Sequence, residues 1–409
     1  MKKLLHAGLK LITAIVLVLL ATHTQAQLAD EKCNFLGNII AGSVPTDFNT
    51  YWNQVSPENS GKWESAEPTR DVMNWTQLEM AYNFAKDNGQ PFKQHTFVWG
   101  SQEPSWIGAL TAEEQKAEVE EWIESYCTKF PETDMIDVVN EPLHAKPSYR
   151  QALGGDGVTG WDWVIWSFET AREHCPNAKL LLNDYGIINN NSQTTNYLTI
   201  INLLKERDLI DGIGEQAHGF ESISITTLRT NLDKLHATGL PIYISEYDVD
   251  IADDNAQKAK YEEQFPMFWN HPGVRGITLW GYKQGQIWKP NAYLVRSNGT
   301  KRPALTWLES YVPSSTGGTF CLPPVGAEAD EEKLFKVYPN PAVQSKFTVH
   351  LAEAGRFNLD MLDYNGKVVY QSEVKGGVPV EITPPVSSGF FILKVHNSAT
   401  TFYKKLVIN

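Results

Sequence analysis

Cysteine is scarce in this chain of 409 residues, and the four present, Cys33, Cys127, Cys175 and Cys321, are too far apart to form a zinc cluster. Positive charge is also in deficit. Lys and Arg number 35 against 48 Asp and Glu, giving a net charge of -13 and a pI of about 5.3. Such a surface repels nucleic acid and anionic membranes, so neither is an expected partner. Beyond the N-terminus no apolar run approaches the ~20 residues of a membrane span. No repeat of 20–50 residues is visible, which excludes solenoids and propellers. The glycines from Gly154 to Gly160 lack the lysine of a phosphate loop and follow no strand, so they read as a loop before a helix.

What is present begins with an export signal. Lys2 and Lys3 precede an apolar run from Leu11 to Ala21, and Thr24-Gln25-Ala26 offers small residues at a cleavage site. Residues 1–26 are expected to be removed and the protein to be secreted or held at the cell surface. Export makes disulfides possible, and four cysteines allow three pairings. Cys33 with Cys321 would tie the ends of the main domain together, and Cys127 with Cys175 would join two helix ends. Four free thiols are the alternative.

Between residues 27 and 312, β-branched or apolar runs alternate with helical patterns. The strand candidates are Phe35–Ala41, Asn53–Ser56, Phe92–Trp99, Met135–Asn140, Lys179–Asn183, Gly212–Gln216, Ile242–Ser245 and Gly276–Trp280. A helix is predicted over Thr111–Lys129, opened by the capping box Thr111-Ala-Glu-Glu114 and apolar at Val119, Trp122, Ile123 and Tyr126. Eight strand–helix units in this length predict an α/β fold of the closed (β/α)8, or TIM barrel, type. Residues 313–333 are rich in Pro, Ser, Thr and Gly and read as a linker. Residues 334–409 carry short alternating strands, Lys346–Leu351, Phe357–Leu362, Lys367–Gln371 and Phe390–His396, and predict a small all-β sandwich.

Two carboxylates stand out. Glu141 ends the fourth strand and Glu246 the seventh, 105 positions apart, or three barrel units. A barrel gathers the C-terminal ends of its strands around one mouth, so both would enter one cleft. A pair of carboxyl groups in a cleft is what glycosidic cleavage needs, one to protonate the leaving oxygen and one to attack or to activate water. That chemistry requires no cofactor and no metal, and none is expected.

Seven ordered segments strengthen this reading: Pro57-Glu-Asn-Ser-Gly-Lys-Trp63, His95-Thr-Phe-Val-Trp99, Asp137-Val-Val-Asn-Glu141, Asn183-Asp-Tyr185, Gly214-Glu-Gln-Ala-His218, Ser245-Glu-Tyr-Asp248 and Gly276-Ile-Thr-Leu-Trp-Gly281. Through them the region from Phe48 to Tyr311 resembles the family-10 glycoside hydrolases, chiefly retaining endo-β-1,4-xylanases. The resemblance implies Glu141 as acid/base and Glu246 as nucleophile, with xylan and xylo-oligosaccharides as substrates. It places His218 beside the nucleophile and gives Asn140 the 2-hydroxyl of the sugar being cleaved. Gln216, Asp248 and Tyr185 count as further support for catalysis. Glu58, Asn59 and Lys62 match residues that grip the next sugar on the non-reducing side, and His95, Trp99, Trp280 and Trp288 complete the sugar-binding set. Trp122 and Trp166 read instead as core. Asp248, Asp250, Asp253 and Asp254 crowd the loop after Glu246 without calcium-loop spacing and read as solvated.

Three positions depart from the family: Gly100, where His is common, Tyr247, where Leu is usual, and Pro142. As cleft-lining positions they would bear on substrate preference. A β-1,4-glucanase on the same barrel is one alternative, and a non-catalytic polysaccharide-binding surface protein is another. The tail resembles the C-terminal sorting domain of type IX secretion cargo through Val337-Tyr-Pro-Asn-Pro341, Asn365-Gly366, Ser388-Gly-Phe390 and Lys404-Lys-Leu-Val-Ile-Asn409, which implies secretion machinery as a partner. Phe347, Phe357, Tyr364 and Phe391 are its expected core aromatics.

Overall fold

The computed structural model describes residues 27–315, 334–343, 346–362, 368–386, 388–397 and 401–408. The expected signal, most of the linker, Cys321, Tyr364 and Asn365-Gly366 lie outside the described residues.

Eight strands form the first sheet: β1 Phe35–Ile40, β2 Val55–Pro57, β3 Lys93–Val98, β4 Met135–Asn140, β5 Lys179–Asp184, β6 Gly212–Glu215, β7 Ile242–Tyr247 and β8 Val274–Leu279. They pair in parallel in the order β2-β1-β8-β7-β6-β5-β4-β3. A parallel bridge from Val55 to Phe92, with Val55 N–H donating to Pro91 O at 3.0 Å, closes the ring between β2 and β3. This is the TIM barrel the alternation predicts. Its strands are buried on both faces, which is why β4 and β7 expose no residue even though they contain Asp137 and Glu246.

The helix Ala112–Lys129 shows how local sequence sets an element. Thr111 Oγ1 accepts from Glu114 N–H at 3.3 Å, and Glu114 Oε2 accepts from Thr111 N–H at 2.9 Å, completing the capping box. Its buried face carries Val119, Trp122, Ile123 and Tyr126, and Trp122 stacks between Trp63 and Trp75. Cys127, near the end of this helix, bonds to Cys175, the cap of Asp162–His174. Closing a loop of this length contributes roughly 2–4 kcal/mol. Cys33 is also disulfide-bonded. Trp166, expected in the core, is only half-buried and lies beneath Lys116 Nζ at 5.1 Å from the ring centre. The closing helix, Pro303–Ser314, runs two residues into the expected linker.

At the N-terminal ends of the strands the barrel is plugged by Met135, Leu181 and Tyr243, with Phe35 stacked on Tyr243. The layer above is polar: Lys93 and Asp137 are fully buried and pair at 2.5 Å.

The tail is all β. It comprises β9 Phe335–Val343, β10 Lys346–Leu351, β11 Gly355–Leu362, β12 Val368–Gly376, β13 Val380–Ile382, β14 Gly389–His396 and β15 Thr401–Ile408. Antiparallel β12-β11-β14-β15 and β9-β10-β13 meet through one parallel pair, Ile408 with Ala342. Phe347 and Phe357 are buried in a common core with Leu359, Met361 and Leu406, and Phe391 packs against it half-buried. The sequence signalled neither β9, β13 nor β15 as strands. In β9 the reason is Pro339 and Pro341, which cannot donate to a ladder; the register with β10 slips where they occur.

Candidate active site

At the C-terminal ends of the strands opens a cleft of about 590 Å³. Every residue predicted to bind sugar lines it: Glu58, Asn59, Lys62, His95, Trp99, Trp280 and Trp288. So do Asn140, Glu141, Tyr185, Gln216, His218 and Glu246. Asp248 stands just behind, accepting from Trp288 Nε1–H at 2.9 Å.

Glu141 follows β4 with φ 55°, a left-handed conformation that costs a non-glycine residue roughly 1–3 kcal/mol. Its N–H donates to Asn183 O at 2.8 Å, and its own carbonyl accepts from His144 and Ala145, so the turn is tied on both sides. Gln216 Nε2 donates to Oε1 at 3.1 Å, and Asn140 Nδ2 lies 3.4 Å from the same oxygen. Burial raises the carboxyl pKa above its ordinary value. Gln216 and Trp99 oppose the rise, and the negative charges of Glu246 and Asp184 add to it. Trp99 Nε1–H makes no hydrogen bond among the described residues, though it lies close enough to favour the ionised Glu141.

Glu246 is only 4% exposed. Asn183 Nδ2 donates to Oε1 at 2.8 Å, His218 Nε2 lies 3.3 Å from Oε2 and His95 Nδ1 3.8 Å from Oε1. Burial alone would push this carboxyl up. The charge of His95, the hydrogen bond and charge of His218, and the charge of Lys93 outweigh it and hold the group at about 2. The two histidines do not contribute alike. Burial lowers the pKa of His95 itself, whereas Asp248 and Glu246 raise His218 against burial to about 10. At neutral pH His218 is therefore the imidazolium that keeps Glu246 ionised. Its Nδ1 sits 2.9 Å from Asp248 Oδ2, an ion-pair distance without hydrogen-bond alignment.

One amide network spans both carboxyls. Asn183 Nδ2 donates to both Glu246 Oε1 and Asn140 Oδ1, Gln216 Nε2 donates to both Asn140 Oδ1 and Glu141 Oε1, and Ser245 Oγ–H donates to Asn183 Oδ1 at 2.6 Å. Asn183 and Asp137 stand in the quoted motifs without a predicted role, and Lys93, Gln102 and Lys289 were not predicted site residues. A cluster of polar residues, Lys93-Gln94-His95-Thr96, in a strand flanked by apolar residues was the available signal. Gln102 Oε1 accepts from Lys62 Nζ at 2.6 Å, and Lys62 also reaches Asn59 Oδ1 at 2.9 Å.

His95, Asp137 and Glu246 place one ligand atom each within 4.8 Å of one another. Lys93 Nζ, however, already occupies Asp137 Oδ2, so a side chain supplies the positive charge a metal would bring.

Two expectations are corrected here. Tyr247 does not line the cleft: it is fully buried, packs against Tyr261 and Phe268, and donates through its hydroxyl to Gln264. Gly100 and Pro142 are absent from the lining as well. The aspartates after Glu246 are not simply solvated. Asp248 is 2% exposed, Asp250 accepts from Asn291 N–H, Asp253 caps the helix Asp254–Trp269, and Asp254 pairs with Arg296 and the buried Arg302. Asp248, Asp250 and Asp254 are drawn in by donors distant in sequence, whereas Asp253 is exposed and accepts from Ala256 N–H three residues on.

The arrangement brings together one carboxyl group whose pKa is raised and one whose pKa is lowered, in a cleft walled by indoles and polar side chains. Residues 25–311 match glycosyl hydrolase family 10, and residues 336–409 match the secretion system C-terminal sorting domain. Endo-1,4-beta-xylanase B of Cellvibrio japonicus is 44% identical over 278 residues, covering 67% of this chain and 45% of that protein. Endo-1,4-beta-xylanase C of Phanerodontia chrysosporium is 30% identical over 258 residues, covering 60% of this chain and 64% of that protein. The chain thus spans under two thirds of the length of either relative. Among solved structures, xylanase 10B from Thermotoga petrophila in complex with xylobiose superposes with a TM-score of 0.62 at 26% identity, covering 70% of this chain and 96% of that one. Native xylanase 10B from Thermotoga maritima gives 0.63 at 27%, covering 71% and 97%.

Proposed function

The chain belongs to glycosyl hydrolase family 10 through residues 25–311, and on that premise we propose that it is an exported endo-β-1,4-xylanase that cleaves with retention of configuration. The observation that carries the proposal is the opposite displacement of two carboxyl pKa values in one cleft, Glu141 up and Glu246 down to about 2. Glu141, its carboxyl pKa raised by burial, donates a proton to the glycosidic oxygen as that bond breaks. Glu246, ionised, forms the new bond to the anomeric carbon. Once the leaving group departs, Glu141 carries a negative charge and takes a proton from the water that attacks the glycosyl-enzyme, which releases Glu246.

Asn140 supports the transition state. Its Oδ1 is occupied by Asn183 and Gln216, which fixes the amide orientation and, among the described residues, leaves Nδ2 with the 3.4 Å contact to Glu141. That donor is available to the sugar 2-hydroxyl, a contact that strengthens as positive charge builds on the ring. Glu58, Asn59 and Lys62 offer acceptors and donors to neutral hydroxyls, while Trp99, Trp280 and Trp288 offer flat apolar faces to pyranose rings. The departures at Gly100, Pro142 and Tyr247 lie outside the lining, which favours the xylan reading over the glucanase. The sorting domain supports export and a partnership with secretion machinery.

The test is product analysis on β-1,4-xylan and on a soluble cellulose derivative, with the first-formed anomer read by proton NMR. Short xylo-oligosaccharides formed first as the β-anomer are expected. Turnover of the cellulose derivative alone would overturn the substrate, and an α-anomer the mechanism.

A further inference from the structure

From the geometry behind Tyr185 we infer that His144, which does not itself line the cleft, is a positioning residue that holds Tyr185 as a platform for the first sugar of the leaving group. This rests on the function proposed above. Tyr185 follows β5, while Glu58, Asn59 and Lys62 follow β2, with the two carboxyls between them. If the latter set grips the non-reducing side, Tyr185 faces the departing sugar. Tyr185 is 38% exposed and lines the cleft wall.

The restraint comes from behind. The His144 imidazole stacks on Tyr185 with ring centres 4.1 Å apart and planes 24° apart. His144 Nδ1 is 2.6 Å from Oδ1 of the fully buried Asp184, and its Nε2 is 3.2 Å from Gln193 Nε2. Both edges of the imidazole are therefore held. Asp184 also accepts from Leu143 N–H and Tyr185 N–H, so one carboxylate joins the backbones that carry both rings.

The loop bearing His144 is anchored as well. His144 and Ala145 donate to Glu141 O, and Gly100 N–H donates to Ala145 O at 3.0 Å. A Cβ at Gly100 would fall 2.5 Å from Lys146 O, so the glycine is what lets this loop close down. The departure at Gly100 thus matters to the product side of the cleft through the loop it admits. Ordering Tyr185 in advance removes a cost the substrate would otherwise meet on binding.

The experiment compares two substrates. Xylotetraose uses the leaving-group side; β-xylobiosyl fluoride has a leaving group too small to touch it. His144→Asn removes the ring but keeps an amide for Asp184, and its fold is checked by thermal melting. We expect kcat/KM on xylotetraose to fall about five- to tenfold, mainly through KM, on the scale of one lost ring stack. Activity on the fluoride should stay within about twofold. On xylotetraose the double variant with Tyr185→Ala should lose no more than Tyr185→Ala alone. An equal loss on both substrates, no loss on xylotetraose, or additive losses would each overturn the role of His144. A folded wild type that cleaves neither substrate would instead overturn the proposed function itself.

Discussion

The two ends of the barrel are built on opposite principles. At the N-terminal ends of the strands, Phe35, Met135, Leu181 and Tyr243 fill the interior with apolar volume. Above that plug the barrel buries Lys93 and Asp137, and toward the C-terminal ends of the strands Asn183 and Glu246; Asp137 Oδ1 has no hydrogen-bond partner among the described residues. Burial there costs stability and is compensated only in part by pairing, because a desolvated charge is expensive even beside its partner. Burial with selective pairing is also what separates the two carboxyl pKa values. One end of the fold holds the other in a charge arrangement it would not adopt alone.

Substitutions should divide along that line. The largest effect is expected from Glu246→Ala and Glu141→Ala at the mouth, which should lower kcat on xylan by about 10⁴-fold or more and about 10²–10⁴-fold respectively. Both variants should remain folded at the assay temperature, as thermal melting would show. If both variants retained activity, the mouth would not be the catalytic end.

His218→Ala comes next. Without the imidazolium the Glu246 carboxyl should rise by about one unit or more, moving the acid limb of kcat/KM upward. The sign for stability follows the same group. Its folded value of about 2 lies below the ~4.3 of an unfolded glutamate, so its ionisation stabilises the fold above that pH and the contribution is lost as pH falls toward 2. Glu141, displaced upward, should set the alkaline limb above the ordinary carboxylate range, and Glu141→Gln should abolish that limb. A pH profile that His218→Ala left unmoved would assign the control of Glu246 elsewhere.

The base should behave inversely. Leu181→Ala is expected to cost about 2–5 kcal/mol in denaturant unfolding while kcat at low temperature changes little. Smaller again, Cys127→Ser with Cys175→Ser should cost about 2–4 kcal/mol without altering kcat, since the bridge joins helix ends on the side away from the mouth. A large loss of kcat in either would erase the proposed division between the ends.

Much of this was legible beforehand. The eight strands fall within a few residues of their expected positions because each is a short apolar run between helical patterns. Thr111 caps its helix because its partner Glu114 is three residues away. Glu141 and Glu246 were found because barrel topology converts whole-unit spacing into proximity. What escaped depends on partners far along the chain. Tyr247 looked like a cleft residue until the helix Asp254–Trp269 took it into the core, and Asp254 looked solvated until Arg302 reached it. Strand β9 was hidden by its prolines, and Lys93 found its role only through Asp137 on the neighbouring strand.

By itself the sequence determined the barrel, the all-β tail, the pair of carboxyls and the side chains that line the cleft, because periodicity, capping and strand-end position are local properties. Only the tertiary structure decided which carboxyl pKa is raised and which lowered, which histidine pKa is raised, how Asn183 and Gln216 join the two halves of the site, and that His144 stacks on Tyr185. Those outcomes depend on burial and on distances of a few ångströms between strands that closure of the barrel brings together.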